Sequence, residues 1–220
     1  MIDILDYLRN NDYPGRGILC GYAKDEPFIA YFIMGRSENS RNRIFVKKEN
    51  VLFTKAYDES KVKDPSLIIY NALRTFNDQI IVTNGDQTDT ICEFLQAGKS
   101  FKDALETRMY EPDAPNFTPR ISALTDKNDY DIAIIRREGQ GCKREYYHYK
   151  NKNGIGHFIS TYDHNGDPLP SFSKEPIECV IEEDENFPKK LWRSLNEENK
   201  ISLYVRYQDK EYIFNKNEGE

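Results

Sequence analysis

Gly17-Ile-Leu-Cys-Gly-Tyr22 and Phe28-Ile-Ala-Tyr-Phe-Ile-Met-Gly35 are two apolar, β-rich runs separated by the polar segment Lys24–Pro27. Runs of this length between turn formers predict two strands joined as a hairpin. Upstream, Ile4, Leu5 and Leu8 form the apolar side of a short amphipathic helix, which the Asn10–Pro14 turn cluster ends. Downstream, Arg43–Lys47 and Val51–Ala56 predict a second strand pair. Asp64-Pro65 supplies an N-cap followed by proline at the first helical position, which predicts a helix over Ser66–Thr75. Gln79–Thr83 reads as a strand and Thr88–Ala97 as a helix closed by Gly98. Ser100 and Asp103 have capping-box spacing and open a helix over Phe101–Arg108.

The passage Glu111–Pro119 is too rich in proline for regular structure. Strand patterns follow at Arg120–Thr125, Asp131–Arg137, Lys143–Tyr149, His157–Tyr162 and Glu178–Ile181. A helix over Pro188–Leu195 and a hairpin of Ile201–Gln208 with Tyr212–Phe214 complete the pattern. Strands before, between and after a block of helices imply an α+β fold, with two sheets sandwiched by helices. No internal repeat or long linker divides the chain, so residues 1–220 read as a single domain, with 1–12 a helical extension.

Composition narrows the function. A formal net charge of −6 argues against general nucleic-acid binding, which needs a cationic face. The charge is uneven, because residues 1–50 hold eight Lys/Arg against seven Asp/Glu, whereas residues 176–220 hold seven against eleven. Arg36, Arg41 and Arg43 fall within eight positions, and a local arginine cluster in an acidic chain suggests a small anionic ligand. Cys20, Cys92, Cys142 and Cys179 show no metal-ligand spacing. The absence of a signal-peptide pattern or a long apolar run predicts a cytoplasmic protein with reduced thiols and no membrane association.

Four polar segments adjoin predicted strands, where a loop can present side chains from a rigid base. They are Tyr13–Gly17, Gly35–Arg43, Thr83–Asp89 and Asn116–Ile121. The second, with its arginines, serines and asparagines, has the donor-rich composition of a phosphate or carboxylate site. A solvated basic hairpin would have the same composition. The third places Asn84-Gly85 at a strand end and Thr88 near a helix start, which suits either an anion or an ordinary capped turn. His148, His157 and His164 have no Ser, Asp or Cys partner at catalytic spacing and read as structural or surface residues. Tyr70, among apolar neighbours, has the setting of a core tyrosine, and Glu111 that of a surface carboxylate.

Read together, the motifs are more specific. Tyr13-Pro-Gly-Arg16, Tyr31 followed by Gly35-Arg-Ser and Arg41-Asn-Arg43, Pro65 through Ile69-Tyr-Asn71, Thr83-Asn-Gly85 with Thr88-Asp89, and Thr118-Pro-Arg-Ile121 form an ordered set. In order and spacing the set resembles the archaeal-type IMP cyclohydrolases over residues 13–125, and the helix before Tyr13 points to a bacterial branch. The resemblance implies a four-layer αββα fold similar to N-terminal nucleophile hydrolases. Met1-Ile2 offers no terminal nucleophile, so amide hydrolysis by a terminal amine is disfavoured.

The implied reaction is dehydrative ring closure of 5-formamidoimidazole-4-carboxamide ribotide (FAICAR) to IMP in purine biosynthesis, without metal or other cofactor. The resemblance gives Arg36 the role of orienting the substrate and polarising the formyl group. Tyr70 would donate to the formyl oxygen, and Glu111 would act as base. Arg16, Arg41, Arg43, Asn71, Asn84, Asp89, Thr118 and Arg120 would bind the nucleotide. The expected partners are FAICAR and IMP, with the protein a homo-oligomer. A nucleotide-binding regulatory protein, or another cyclic amidine or amide hydrolase on the same scaffold, are the alternatives.

Overall fold

The computed structural model describes residues 1–62, 69–207 and 209–219. Along the chain run β1 (Ile2–Asp3), α1 (Ile4–Arg9), β2 (Arg16–Ala23), β3 (Glu26–Met34), α2 (Glu38–Arg41), β4 (Arg43–Lys48) and β5 (Val51–Ala56). There follow β6 (Asn71–Phe76), β7 (Gln79–Thr83), α3 (Gln87–Gln96), α4 (Phe101–Glu106), β8 (Arg120–Thr125), β9 (Asp129–Glu138) and β10 (Gly141–Lys150). The last elements are β11 (Ile155–Ser160), β12 (Ile177–Val180), α5 (Phe187–Ser194), β13 (Lys200–Tyr207) and β14 (Lys210–Asn215).

The strands form two seven-stranded sheets, ordered β1-β12-β11-β2-β3-β13-β14 and β10-β9-β8-β7-β6-β5-β4. Pairing is antiparallel except between β1 and β12. The fold is α+β.

The apolar run of β3 explains how the layers stack. Successive side chains leave a strand on opposite faces. Ile29, Tyr31 and Ile33 enter a cluster between the sheets with Phe45, Leu73, Val82, Ile121 and Ile132. Phe28, Ala30, Phe32 and Met34 enter a second cluster with Leu5 and Leu8 of α1 and Leu191 and Trp192 of α5. A third cluster lies outside the other sheet, where Ile91 of α3 and Leu105 of α4 pack on Ile81, Ala133 and Ile135. A strand covered on both faces has no polar alternation, which is why this stretch is apolar throughout.

One expected element is overturned. In the described part of Ser66–Thr75 the expected helix gives way to β6, whose Phe76 pairs with Gln79 of β7 across the two-residue turn Asn77-Asp78, while residues 66–68 lie outside the described residues. Asn77 takes the left-handed conformation, φ 53°, which asparagine tolerates. The Asp64-Pro65 start lies outside the described residues. A helix-start signal says nothing about length, and sheet pairing with β5 and β7 claims Asn71 onward. The capping box at Ser100 and Asp103 is present, with Ser100 Oγ accepting from Asp103 N at 3.1 Å.

Candidate active site

Arg16 starts β2, Met34 ends β3, Arg43 starts β4, Asn71 starts β6, Thr83 ends β7, Arg120 starts β8 and Ser160 ends β11. Strand registers put the β2, β3 and β11 positions at one end of the first sheet, where Arg16 opposes Ile33 and Gly17 opposes Ser160. The others share one end of the second sheet. A hydrogen bond of 2.7 Å between the Tyr31 and Tyr70 hydroxyls joins the two ends.

The loop before Arg16 is laced into place. Gly15 O accepts from Met34 N at 2.9 Å, Pro14 O accepts from Tyr162 N at 3.1 Å, and Arg16 N donates to Thr161 Oγ1 at 3.1 Å. Gly15 has φ +79°, and a Cβ there would sit 2.3 Å from Thr161 Oγ1 and 2.5 Å from the Tyr162 ring. Both the conformation and the space require glycine. Gly15→Ala is expected to cost ~2–3 kcal/mol, lowering Tm by roughly 4–12 °C in a chain of this size. Thermal unfolding followed by circular dichroism checks this, and an unchanged Tm would show that the loop adjusts freely.

Around the tyrosine pair stand two guanidinium groups. Arg43 is fully buried, its Nε donates to Ser40 O at 2.7 Å, and among the described residues both Nη atoms lack a partner. Arg16 is half-buried, with Nε enclosed and without a partner among the described residues. The two arginines interact electrostatically with Tyr13, Tyr31 and Tyr70. Burial, reinforced by the like charge of Arg16, pushes the Arg43 guanidinium down from its ordinary value. A buried arginine whose terminal nitrogens meet no acceptor is costly unless something anionic or oxygen-rich completes it.

Glu111 lies across the cluster, within electrostatic reach of Arg16. Burial raises its carboxyl above the usual range, against the lowering effect of Arg120 and Arg16, and Asp113 and Asp86 raise it further. Arg120 Nη1 serves three acceptors: Gln87 Oε1 at 2.6 Å, Asp86 Oδ1 at 2.7 Å and Glu111 Oε1 at 2.9 Å. Gly85 leaves room for them, since a Cβ there would stand 2.7 Å from Arg120 Nη1 and 3.1 Å from Glu111 Oε1. The backbone N of Glu111 donates to Thr118 O at 2.9 Å. Thr118 is in turn fixed by Asp113, and its hydroxyl meets Tyr162 Oη at 2.5 Å.

The arginine-rich segment does not act as one patch. Arg36 is exposed, lies over the Tyr13 ring at 5.1 Å, and donates to Asn165 Oδ1 and Gly166 O at 2.9 Å each. Tyr13 stacks on Tyr162, so Arg36 forms the rim of the cluster. Arg41, on the short α2, points away and is held by Gly35 O and Asn199, beside a surface cavity lined by Glu38, Tyr57 and Asn217. Only Arg43, the first residue of β4, turns inward.

Three other expected residues have their polar groups engaged. Asn71 donates to both Asp89 oxygens at 3.0 Å, and Arg74 Nε meets Asp89 at 2.6 Å, tying β6 to α3. Asn84 donates to Pro119 O and accepts from Ile121 N and Gln87, bracing β7 against the loop before β8. His157 bonds Tyr130 Oη at 2.6 Å and stacks on Tyr149. In the sequence Tyr31 is only a member of the motif set, and no site role attaches to Tyr162, Asp113 or Asp86. Tyr31 is hidden in an apolar run, and the signal that could have found it is its place on the inward-facing period of β3.

The sequence matches the model of the IMP cyclohydrolase-like protein family over residues 13–212. The chain belongs to this family. Among its relatives, the IMP cyclohydrolase of Methanosphaera stadtmanae is 34% identical over 159 residues, covering 70% of this chain and 75% of that protein. The IMP cyclohydrolase of Methanopyrus kandleri is 31% identical over 178 residues, covering 76% and 86%. That of Methanocaldococcus jannaschii is 30% identical over 156 residues, covering 69% and 73%. The family match starts at Tyr13, the residue stacked beneath Arg36, and leaves α1 outside it. Among the described residues no helix is long and apolar enough to cross a membrane.

Proposed function

We propose that this protein is an IMP cyclohydrolase, closing FAICAR to IMP with loss of water. The observation that carries the reading is the convergence of Tyr70, Glu111 and two incompletely partnered arginines at one end of the paired sheets. The carboxamide nitrogen is a weak nucleophile and the formyl carbon a weak electrophile. Ring closure therefore needs the two held in contact, a donor for the formyl oxygen and an acceptor for the amide proton.

Glu111 takes a proton from the carboxamide as its nitrogen bonds to the formyl carbon, and Tyr70 protonates the former formyl oxygen. In the second half, Glu111 returns its proton to the hydroxyl, which leaves as water. The formamide N–H then restores the Tyr70 proton. Arg16 and Arg43 bind the nucleotide's oxygens, and Arg36 orients it from the rim. Thr118 and Arg120 hold Glu111 in place, while Asn71, Asn84, Asp89 and Arg41 support the walls and approach. No step in this scheme calls on a metal or other cofactor.

The helix-covered pair of sheets supports an αββα arrangement similar to that of N-terminal nucleophile hydrolases, with 1–220 as one domain. The extra α1 supports placement in a bacterial branch, and we read the protein as a cytoplasmic homo-oligomer acting on a free nucleotide.

Incubating purified protein with FAICAR and following IMP absorbance tests the activity. Binding without turnover would select a regulatory nucleotide-binding protein, and turnover of a different cyclic amidine or amide would select another hydrolase on this scaffold. Arg43→Met tests the anion site. It should raise KM at least tenfold while leaving Tm equal or higher, because an apolar side chain replaces a buried charge. An unchanged KM would remove Arg43 from substrate binding.

A further inference from the structure

The Tyr31–Tyr70 pair has one hydrogen bond and two protons, and their disposition can be worked out. Tyr31 has 0% relative exposure, its ring stacks on Phe45, and among the described residues its hydroxyl has no partner but Tyr70. Among the described residues the charged groups acting on Tyr31 are the guanidiniums of Arg16 and Arg43, which donate and cannot accept. If Tyr70 donated to Tyr31, the Tyr31 proton would be buried with no acceptor, at the full cost of an unmet donor. With the opposite polarity the spare proton is that of Tyr70, the less enclosed of the two at 7% against 0% exposure, where a substrate oxygen can accept it.

We infer that Tyr31 is a positioning residue: it donates permanently to Tyr70 and so aims the Tyr70 proton at the substrate. This rests on the ring-closure role proposed for Tyr70. Burial pushes the Tyr31 phenol well above its ordinary value, and Tyr70 adds to the rise, so Tyr31 keeps its proton at all working pH values. The Tyr70 backbone is fixed independently, with its N donating to Thr54 Oγ1 at 2.9 Å and its O accepting from Thr54 N at 3.0 Å. The phenol pair therefore meets in a defined geometry. As Tyr70 passes its proton to the formyl oxygen, negative charge grows on its own oxygen, and the Tyr31 hydrogen bond strengthens with it.

The test is a double-mutant cycle. Tyr31→Phe keeps the ring and should lower kcat for FAICAR about tenfold, the worth of one hydrogen bond, with KM unchanged. In a Tyr70→Phe background the same substitution should cost nothing further, because Tyr31 acts only through Tyr70. Losses that multiply across the two sites, or an unaffected Tyr31→Phe enzyme, would overturn the inference. A second arm does not depend on catalysis. In protein labelled with ¹³C at tyrosine Cζ, Tyr31→Phe should shift the Tyr70 Cζ resonance as its oxygen loses a donor, and an unmoved resonance also overturns the proposal. If Tyr31→Phe does not fold, 3-fluorotyrosine at position 31 preserves packing and strengthens the donor. The Tyr70 Cζ resonance should then move away from its wild-type position as the bond it accepts strengthens, and no movement again rejects the idea. A fully active Tyr70→Phe enzyme would remove the catalytic role of Tyr70 and leave the ¹³C arm to decide the polarity of the pair.

Discussion

Tyr70→Phe should reduce kcat by ~10²–10³ with KM nearly unchanged, the usual loss when one donor to a developing oxyanion is removed. The ring is buried among apolar side chains between the sheets, and Phe preserves that packing. A tyrosine serving only the core would therefore tolerate the change with little loss of turnover. Among the described residues the Tyr70 hydroxyl meets Tyr31 alone, so the substitution breaks that one bond and leaves the ring packing in place. Steady-state kinetics on FAICAR, with Tm as a control, distinguish the two cases. Wild-type kcat in Tyr70→Phe would place the donor elsewhere, with Arg16 or Arg36 next in line.

Glu111→Gln should lower kcat by ~10²–10⁴ and abolish the acidic limb of the pH–rate profile. The sign follows from the environment. Burial, opposed by Arg120 and Arg16, raises the carboxyl, so it ionises later than an exposed glutamate. A base must be ionised to accept the amide proton, so wild-type activity should rise with pH through that elevated midpoint. The same shift has a stability counterpart. A carboxyl raised on folding binds more protons in the native state, so its contribution is present below the unfolded midpoint and is lost as pH rises through the folded one. Relative to Glu111→Gln, the wild-type protein should therefore lose stability from acidic to neutral pH. An unchanged acidic limb in the variant would assign the base role to another group.

The strands and helices were largely legible because their signals are local. The hairpin around Lys24–Pro27, the capping box at Ser100 and the exact span of Gln79–Thr83 follow from turn chemistry and apolar patterning. The segment after Pro65 was misread because a strong local start signal outweighed the Asn77-Asp78 turn that closes the β6–β7 hairpin. The site was legible only as a set of motifs. Arg36, Arg41 and Arg43 look equivalent in the sequence, yet one stacks at the rim, one faces solvent and one is buried. That division depends on where β3 stops and β4 begins, which is settled by pairing with distant strands. The hydroxyl contacts of Tyr31 and Tyr162 are not legible, because an aromatic in an apolar strand looks like core whether or not its hydroxyl meets a partner.

The bond between Tyr31 and Tyr70 spans the two sheets, and Arg16 stands on β2 of one sheet while Glu111 sits in the loop leading into β8 of the other. In the proposed mechanism neither sheet alone holds enough of the apparatus for turnover. During refolding each sheet can acquire its strands before the face-to-face cluster of Ile29, Phe45, Val82 and Ile121 has closed. Far-ultraviolet dichroism would register that earlier stage, whereas catalysis would wait for the final docking. The return of enzymatic turnover is thus a clock for the latest event in folding, and the delay between the two signals measures how long the sheets exist before they meet.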